Sequence, residues 1–131
     1  MVKRLTSVLL LLASLCCGRV FALGLGDIIV DSTVNEPFSA VIALTSASDF
    51  TEEQLLVELA KEDDFKRLGA IRKHYLTGLK FKLDLKHISG PVILVSSREV
   101  IKEPYMDFVV DLQWPGGRIV KEYVVLLPIS R

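Results

Sequence analysis

The segment between residues 106 and 127 constrains the fold more than any other part of this 131-residue chain. Apolar residues occupy the even positions Met106, Phe108, Val110, Leu112 and Trp114, whereas the odd positions include Asp107, Asp111 and Gln113. This period of two predicts a β-strand with one face in a core and a solvated polar face. The motif Pro115-Gly116-Gly117 then interrupts the run, and residues 118–127 form a second candidate strand. We therefore predict a β-hairpin.

Four other segments have patterns typical of strands. Residues 28–34 end at the turn Asn35-Glu36-Pro37, and residues 38–44 then alternate apolar with smaller or polar side chains. Residues 79–86 alternate leucine or phenylalanine with charged residues. Residues 91–97 contain the run Val92-Ile93-Leu94-Val95, which is apolar on both faces and favours an inner strand over an edge strand.

The region 49–69 is ambiguous, because it combines helix-start signals with strand-like alternation. We predict a short turn at 49–53, a strand over 54–60 and a helix over about 62–68 that ends at Gly69. The helix carries acidic residues in its first turn and basic residues in its last, which suits the helix dipole.

Together these segments make about seven short strands within one uninterrupted domain, residues 23–131. Regularly spaced strands with turn signals predict a mainly β chain, an immunoglobulin-like β-sandwich with one short helix. An α+β fold, with 49–69 as a longer helix, stays open as the alternative.

Residues 1–22 have the pattern of a signal peptide. Lys3 and Arg4 precede an apolar run over 5–17, and Val20-Phe21-Ala22 offers a cleavage site before Leu23. We therefore expect export to the periplasm of a Gram-negative cell envelope, with no stable membrane span after cleavage. An uncleaved signal-anchor is the alternative, and a lipoprotein fits less well because no small residue precedes Cys16 or Cys17.

Cleavage would remove both cysteines of the chain, so the mature protein would depend on a hydrophobic core instead of disulfides. It would also remove Lys3, Arg4 and Arg19, which leaves 13 basic and 16 acidic residues and a net charge of −3. Both signs are scattered along the chain. The absence of a basic stripe argues against nucleic acid as a partner.

Four residues are candidates for partner binding: Arg98, Glu99, Trp114 and Arg118. Arg98 and Glu99 lie in the predicted connection before Pro104. An ion pair between them would order a binding loop, and the alternative is a solvent-exposed ion pair without a binding role. Trp114 and Arg118 flank the hairpin turn and would serve a carbohydrate-binding or peptidoglycan-binding module. The parity of Trp114 instead favours burial in the core or at its rim.

No pattern in the sequence predicts catalysis, a cofactor or a metal. The two histidines, His74 and His87, lack neighbouring ligands or a nucleophile, and we expect both to be exposed. The motif Gly24-Leu25-Gly26 precedes a strand, unlike a nucleotide-binding loop, and is interpreted as a flexible leader. An enzyme acting on wall polymers is the least supported interpretation.

Several ordered motifs resemble the N-terminal periplasmic domain of the FimV/HubP family, over nearly the whole of 23–131. They are Leu23-Gly24-Leu25-Gly26-Asp27-Ile28, Asn35-Glu36-Pro37-Phe38-Ser39-Ala40, Glu62-Asp63-Asp64-Phe65, Leu68-Gly69, Val95-Ser96-Ser97, Glu103-Pro104, Phe108, Trp114-Pro115, Gly117-Arg118 and Glu122-Tyr123.

The resemblance implies a non-enzymatic protein-interaction module of the envelope, associated with type IV pilus assembly, twitching motility and the cell pole. It implies envelope or pilus-assembly proteins as partners. Larger family members add a peptidoglycan-binding LysM domain, a transmembrane helix and an acidic cytoplasmic region. The sequence ends at Arg131 without these parts, so we expect a short, stand-alone form, with a genuine short paralogue, a fragmentary gene and a truncated product all open as its origin.

Overall fold

The computed structural model describes residues 23–129, and within that range seven strands form two antiparallel sheets. The strands are β1 (Gly24–Val30), β2 (Pro37–Thr45), β3 (Leu56–Leu59), β4 (Leu79–Asp84), β5 (Val92–Val100), β6 (Tyr105–Trp114) and β7 (Gly117–Leu126). One α-helix, α1 (Glu62–Arg67), follows β3, and two 3-10 helices span Glu52–Gln54 and His74–Gly78.

Sheet A has the strand order β1-β2-β5-β4, and sheet B has the order β3-β6-β7. The predicted inner strand at 91–97 is β5, which lies between β2 and β4. The predicted hairpin is β6 and β7, paired from Tyr105↔Leu126 to Trp114↔Gly117. The prediction of a mainly β sandwich with one short helix is confirmed, and the α+β alternative is not.

The core lies between the two sheets and is built from their inward faces. Phe108 of β6 is fully buried at its centre. Its ring packs edge-on against Phe38 of β2, with centroids 6.1 Å apart, and lies 5.9 Å from the ring of Tyr123 on β7. One aromatic residue of sheet A and two of sheet B therefore join the sheets, as the even positions of β6 predicted.

The ambiguous region 49–69 divides as predicted into a turn, a strand and a helix. Helix α1 has three acidic residues in its first turn and Lys66 and Arg67 in its last. It ends at Arg67, two residues before Gly69, whose φ of +77° lies in the left-handed region that glycine adopts without strain. The amide of Ala70 donates to the carbonyl of Phe65 at 2.8 Å and closes the helix.

The first strand begins earlier than predicted, at Gly24 instead of Ile28. Leu25 is buried and pairs with Leu44 of β2, so the interpretation of 24–26 as a flexible leader was wrong. Gly26 lies so close to β2 that a Cβ atom there would be 3.1 Å from the carbonyl oxygen of Ala43. The glycines that suggested flexibility instead permit close packing of two strands.

The odd-numbered face of β6 is only partly solvated, contrary to the prediction of a fully solvated face. Val109 is fully buried and Asp111 is only 1% exposed. Helix α1 packs on this side of β6, where its Asp64 accepts a hydrogen bond from Arg118. The alternation indicated the strand correctly, but it could not show that another segment covers its outer face.

Side chains of β7 also bind the start of β1, across the open side of the sandwich. The Tyr123 hydroxyl donates to the carbonyl oxygen of Gly26 at 2.7 Å. The ammonium group of Lys121 donates to the carbonyls of Leu25 and Gly26, both at 3.3 Å. These bonds satisfy polar backbone groups at an edge strand that would otherwise be open.

Substitution of Tyr123 by Phe is expected to lower the free energy of unfolding by about 0.5–1.5 kcal/mol, because the buried hydroxyl bond to Gly26 is lost. Burial, and secondarily the charge of Asp27, raises the pKa of the Tyr123 phenol in the folded state. A raised pKa contributes stability below about pH 10 that is lost as the pH rises above it. The alkaline fall in stability should therefore be shallower in Tyr123→Phe.

Urea unfolding between neutral and alkaline pH measures both effects. Tyr105→Phe, at a half-exposed tyrosine on the outer face of β6, is the matched control and should leave the free energy of unfolding at neutral pH unchanged. An equal alkaline slope in the native chain and in Tyr123→Phe would contradict the assignment.

No helix within residues 23–129 has the length and apolar character needed to cross a bilayer. The predicted signal peptide, with its cleavage site and both cysteines, lies outside the described residues.

Candidate functional site

Trp114 lies at the rim of the core, at the end of β6. It is partly buried and packs against core residues, and its indole also lies against the hairpin turn. A Cβ atom at Gly117 would be 3.0 Å from Cζ2 of the indole, which explains the glycine at this position. This is the rim position that the parity of β6 indicated.

Arg118 lies on the opposite face of the hairpin from Trp114. The register pairs Arg118 with Gln113 and Trp114 with Gly117, and successive side chains of a strand point to opposite faces. The two residues that a carbohydrate-binding module would use together therefore do not form one platform.

Arg118 instead belongs to a charged group on the outer face of sheet B, called here the Arg118 cluster: Asp64, Arg67, Asp111, Gln113 and Arg118. Nε of Arg118 donates to Oδ1 of Asp111 at 3.1 Å. A terminal nitrogen of the same guanidinium group donates to Oδ2 of Asp64. Hydrogen bonds from Arg118 to Asp111 and to Asp64 raise the pKa of the guanidinium above its usual value. The cluster therefore connects α1 to the β6–β7 hairpin.

Every carboxylate oxygen of the two aspartates in the cluster accepts a hydrogen bond. Arg67 donates to Oδ1 of Asp64 at 2.9 Å, and the Gln113 amide donates to Oδ2 of Asp111 at 3.1 Å. Asp64 is 6% exposed and Asp111 is 1% exposed. Two carboxylates are thus balanced by two guanidinium groups, which is the arrangement that makes buried charge tolerable in a fold.

Arg98 and Glu99 lie within β5, which continues to Val100, and not in a connecting loop as expected. Both are exposed and line an open cleft of about 300 Å³ with His74, Tyr75 and Lys80, among others. Within residues 23–129 neither forms an ion pair closer than 4.0 Å.

The end of β5 beside this cleft is held by one serine. The Ser97 hydroxyl donates to the carbonyl of Glu99 at 2.7 Å and accepts from the amide of Phe38 at 2.8 Å. Glu103, which was expected in the same loop as Arg98, pairs with Lys73 at 3.1 Å. Arg98 and Glu99 therefore form a site on sheet A, separate from Trp114 and Arg118 on sheet B.

A second surface on sheet B was missed by the sequence analysis, and we call it the β7 surface: Tyr105, Asp107, Glu122, Val124 and Leu126. The register pairs Tyr105 with Leu126 and Asp107 with Val124, so these side chains share the outer face. A sequence signal was available, because residues 124–127 are apolar at every position. A strand with only one buried face does not need apolar residues at 124 and 126.

The acids of the β7 surface lack the compensation found in the Arg118 cluster. Oδ1 of Asp107 is buried and has no hydrogen-bond partner among the described residues. Burial first, and then the charge of Asp107 and a side-chain hydrogen bond with Asp107, raises the pKa of the Glu122 carboxyl.

Among residues 23–129, no group of three or more histidine, cysteine, aspartate or glutamate side chains is arranged to hold a metal ion. His74 is exposed as expected, whereas His87 is partly buried, and its Nδ1 accepts a hydrogen bond from the amide of Ser89 at 3.2 Å.

The two-sheet sandwich defines an immunoglobulin-like domain, and comparison with known proteins identifies which kind. Residues 23–129 match the family model described as FimV N-terminal domain Ig-like domain. The chain therefore belongs to the FimV N-terminal domain family, as its ordered motifs predicted.

Two similar proteins are the motility hub protein FimV of Pseudomonas aeruginosa strains PAO1 and UCBPP-PA14. Each is 39% identical over 113 residues, which cover 86% of this chain but 12% of the relative. The chain thus spans about an eighth of the length of these curated relatives. No solved structure matches the chain.

Proposed function

We propose that this chain is a non-enzymatic protein-interaction module of the Gram-negative periplasm that acts in type IV pilus assembly at the cell pole. The observation that carries the proposal is the match of residues 23–129 to the FimV N-terminal family. The relatives are named motility hub proteins, and we take a hub to be a protein that acts through contacts with other proteins. In this proposal residues 1–22 are a cleaved signal peptide and residues 23–131 are the binding domain.

The distribution of charged and apolar side chains supports a binding role. The buried acids Asp64 and Asp111 are each held by arginine donors, which suits a structural role better than acid–base chemistry. Val124 and Leu126 expose apolar side chains on one face of a sheet. Exposed apolar groups that adjoin one another are typical of protein-binding surfaces.

The four candidate residues take different parts in this proposal. Arg98 and Glu99, exposed in a cleft and without an ion-pair partner in residues 23–129, are offered as partner contacts. Trp114 and Arg118 are offered as supports of the hairpin that carries the β7 surface. Peptidoglycan binding is not favoured, because Trp114 and Arg118 lie on opposite faces.

Cross-linking in intact cells, followed by purification of the tagged chain, tests the proposal together with deletion of its gene. We expect envelope or pilus-assembly proteins to be recovered, and deletion to impair twitching or pilus placement at the pole. In Arg98→Ala/Glu99→Ala recovery of at least one partner should fall, whereas Glu52→Ala/Glu53→Ala, at exposed residues of a 3-10 helix, should leave it unchanged.

Recovery of no envelope protein, with normal twitching and pili after deletion, would refute the proposal. Sedimentation with purified sacculi is the second arm. Pelleting that is lost in a folded Trp114→Ala variant would instead favour peptidoglycan as the ligand.

A further inference from the structure

We propose that the β7 surface binds an extended basic segment of a partner protein. Lysine or arginine side chains of that segment would contact Asp107 and Glu122, and its apolar side chains would cover Tyr105, Val124 and Leu126. This inference rests on the proposed function and adds the chemistry of the partner and the place where it binds.

The apolar part of the β7 surface is contiguous. Tyr105, Val124 and Leu126 are 48%, 53% and 74% exposed. Tyr105 and Leu126 are directly opposite each other, and side chains at such positions lie in contact across the strands. Ile71, 74% exposed, lines the same cavity as Tyr105 and extends the apolar area. Four large apolar side chains therefore adjoin one another in solvent, where single exposed ones are the norm.

The rest of the outer face of sheet B is already covered. Helix α1 packs on this side of β6, and Val109 is completely buried. The uncovered part begins beside that segment, at a cavity of about 220 Å³ lined by Ala70, Ile71, Tyr105 and Asp107, among others. An occupant of the β7 surface would thus extend a covering layer that the chain itself supplies over part of the sheet.

The charges of this surface select a cationic occupant. Asp107 and Glu122 interact with each other: burial first, then their mutual repulsion and a side-chain hydrogen bond between the two carboxyls, raises the pKa of Glu122. Neither carboxylate is in an ion pair within residues 23–129. Lys73 lines the cavity beside Asp107, but its ammonium group pairs with Glu103 at 3.1 Å. Because the buried Oδ1 of Asp107 has no hydrogen-bond donor, a cation inserted there would satisfy it.

An extended segment fits the spacing of the contacts. Glu122, Val124 and Leu126 follow one another at intervals of two residues along β7, a spacing of about 6.6–6.8 Å in a β-strand. A partner in extended conformation presents alternate side chains at the same spacing, so that one basic and two apolar side chains meet all three positions.

Charge also argues against two other occupants. A second copy docked face to face about a two-fold axis close to the acids would bring two pairs of carboxylates together. An anionic lipid surface would be repelled by the same acids. A basic protein segment is the occupant that satisfies both the apolar and the acidic parts of the surface.

The first test uses a fluorescein-labelled peptide, Gly-Ser-Lys-Ser-Val-Ser-Leu-Ser-Gly, titrated with the purified chain and followed by fluorescence anisotropy. The control peptide carries glutamate in place of lysine. We expect the lysine peptide to bind at least about tenfold more tightly, a difference that corresponds to about 1.4 kcal/mol, and its binding to weaken as salt screens the acids. Equal affinity for both peptides, or no binding of the lysine peptide, would overturn the inference.

Variants of the chain locate the binding. Asp107→Asn/Glu122→Gln removes both charges with little change in shape, and Val124→Ser/Leu126→Ser removes exposed apolar groups. Each should weaken binding of the lysine peptide about tenfold or more. Matched substitutions elsewhere, Asp63→Asn and Ile88→Ser at exposed positions, should leave it unchanged. Circular dichroism of each variant verifies that it is folded.

Further measurements test other occupants of the β7 surface and distinguish failure of this inference from failure of the proposed function. Self-association in sedimentation equilibrium that Val124→Ser/Leu126→Ser abolishes, or binding to phosphatidylglycerol vesicles that depends on the same residues, would overturn the inference in favour of those occupants. If the native chain and Asp107→Asn/Glu122→Gln recover the same envelope proteins from cells, this inference fails and the proposed function stands. If neither recovers any, the proposed function fails as well.

Discussion

Substitution of Phe108 by Ala is expected to lower the free energy of unfolding by about 3–5 kcal/mol, the usual range for a buried phenylalanine. The ring is fully buried and contacts aromatic residues of both sheets, Phe38 and Tyr123. Its removal leaves a cavity where the sheets meet, and the paired strands of β6 and β7 restrict how far the backbone can move to fill it. Because small domains are stable by only about 5–15 kcal/mol, this is a large fraction of the total.

Urea unfolding followed by circular dichroism measures this loss. Ile88→Ala removes an aliphatic side chain that is 98% exposed and should change stability by less than about 0.5 kcal/mol. Phe108→Leu keeps much of the volume and should fall between the two. If Phe108→Ala unfolded at the same urea concentration as the native chain, the placement of Phe108 at the centre of the core would be wrong.

Substitution of Asp111 by Ala is expected to lower the free energy of unfolding by about 1.5–3 kcal/mol. This is a large effect for a position at which strand parity predicts a solvent-exposed side chain. Its carboxylate is almost completely buried and accepts hydrogen bonds from Arg118 and Gln113. Loss of the carboxylate removes two charge-assisted or polar bonds and weakens the connection between α1 and the hairpin. Asp63→Ala is the matched control, since Asp63 is an exposed aspartate of the same helix as Asp64.

A double-mutant cycle with Arg118→Leu tests the cause of this effect. In the native chain Asp111→Asn should destabilise, because a charged partner of Arg118 is lost. In the Arg118→Leu background the same change should be much less costly or even stabilising, because it removes a buried charge that has lost its cation. Additive effects of the two substitutions would contradict the ion pair.

The predicted effects separate the framework of the hairpin from its proposed binding surface. Asp111 and Arg118 support β6 and β7 from the side of α1, whereas Val124 and Leu126 project from β7 into solvent. Substitutions in the first group should change stability, and those in the second should change binding with little change in stability. This contrast allows loss of binding to be distinguished from loss of folding.

Much of the fold could be predicted because it depends on local rules. The turn at 115–117, the alternation along β6 and the apolar run of β5 each indicated the correct element. Helix α1 was predicted from its charge order and from Gly69, although it has only six residues. The error at β1 has a local origin too, since glycine permits both flexibility and close strand packing and the sequence does not distinguish them.

The candidate site was predicted less well, because a site depends on which surfaces remain uncovered. Trp114 and Arg118 are near in sequence but lie on opposite faces, and Arg98 belongs to a different sheet. The acids Asp107 and Asp111 have the same strand parity and similar sequence surroundings. The buried Oδ1 of Asp107 has no hydrogen-bond donor among the described residues, whereas Asp111 accepts a hydrogen bond from Arg118.

By itself, the sequence determined where strands, turns and the helix occur, because periodicity and turn chemistry act over a few residues. The tertiary structure alone decided which side of each strand stays open to solvent. The hydrogen bond between Arg118 and Asp64 joins residues 54 apart in the chain, and it links the helix to the outer face of sheet B. No local pattern records such a long-range contact, so burial of Asp111 and exposure of Val124 and Leu126 follow from packing alone.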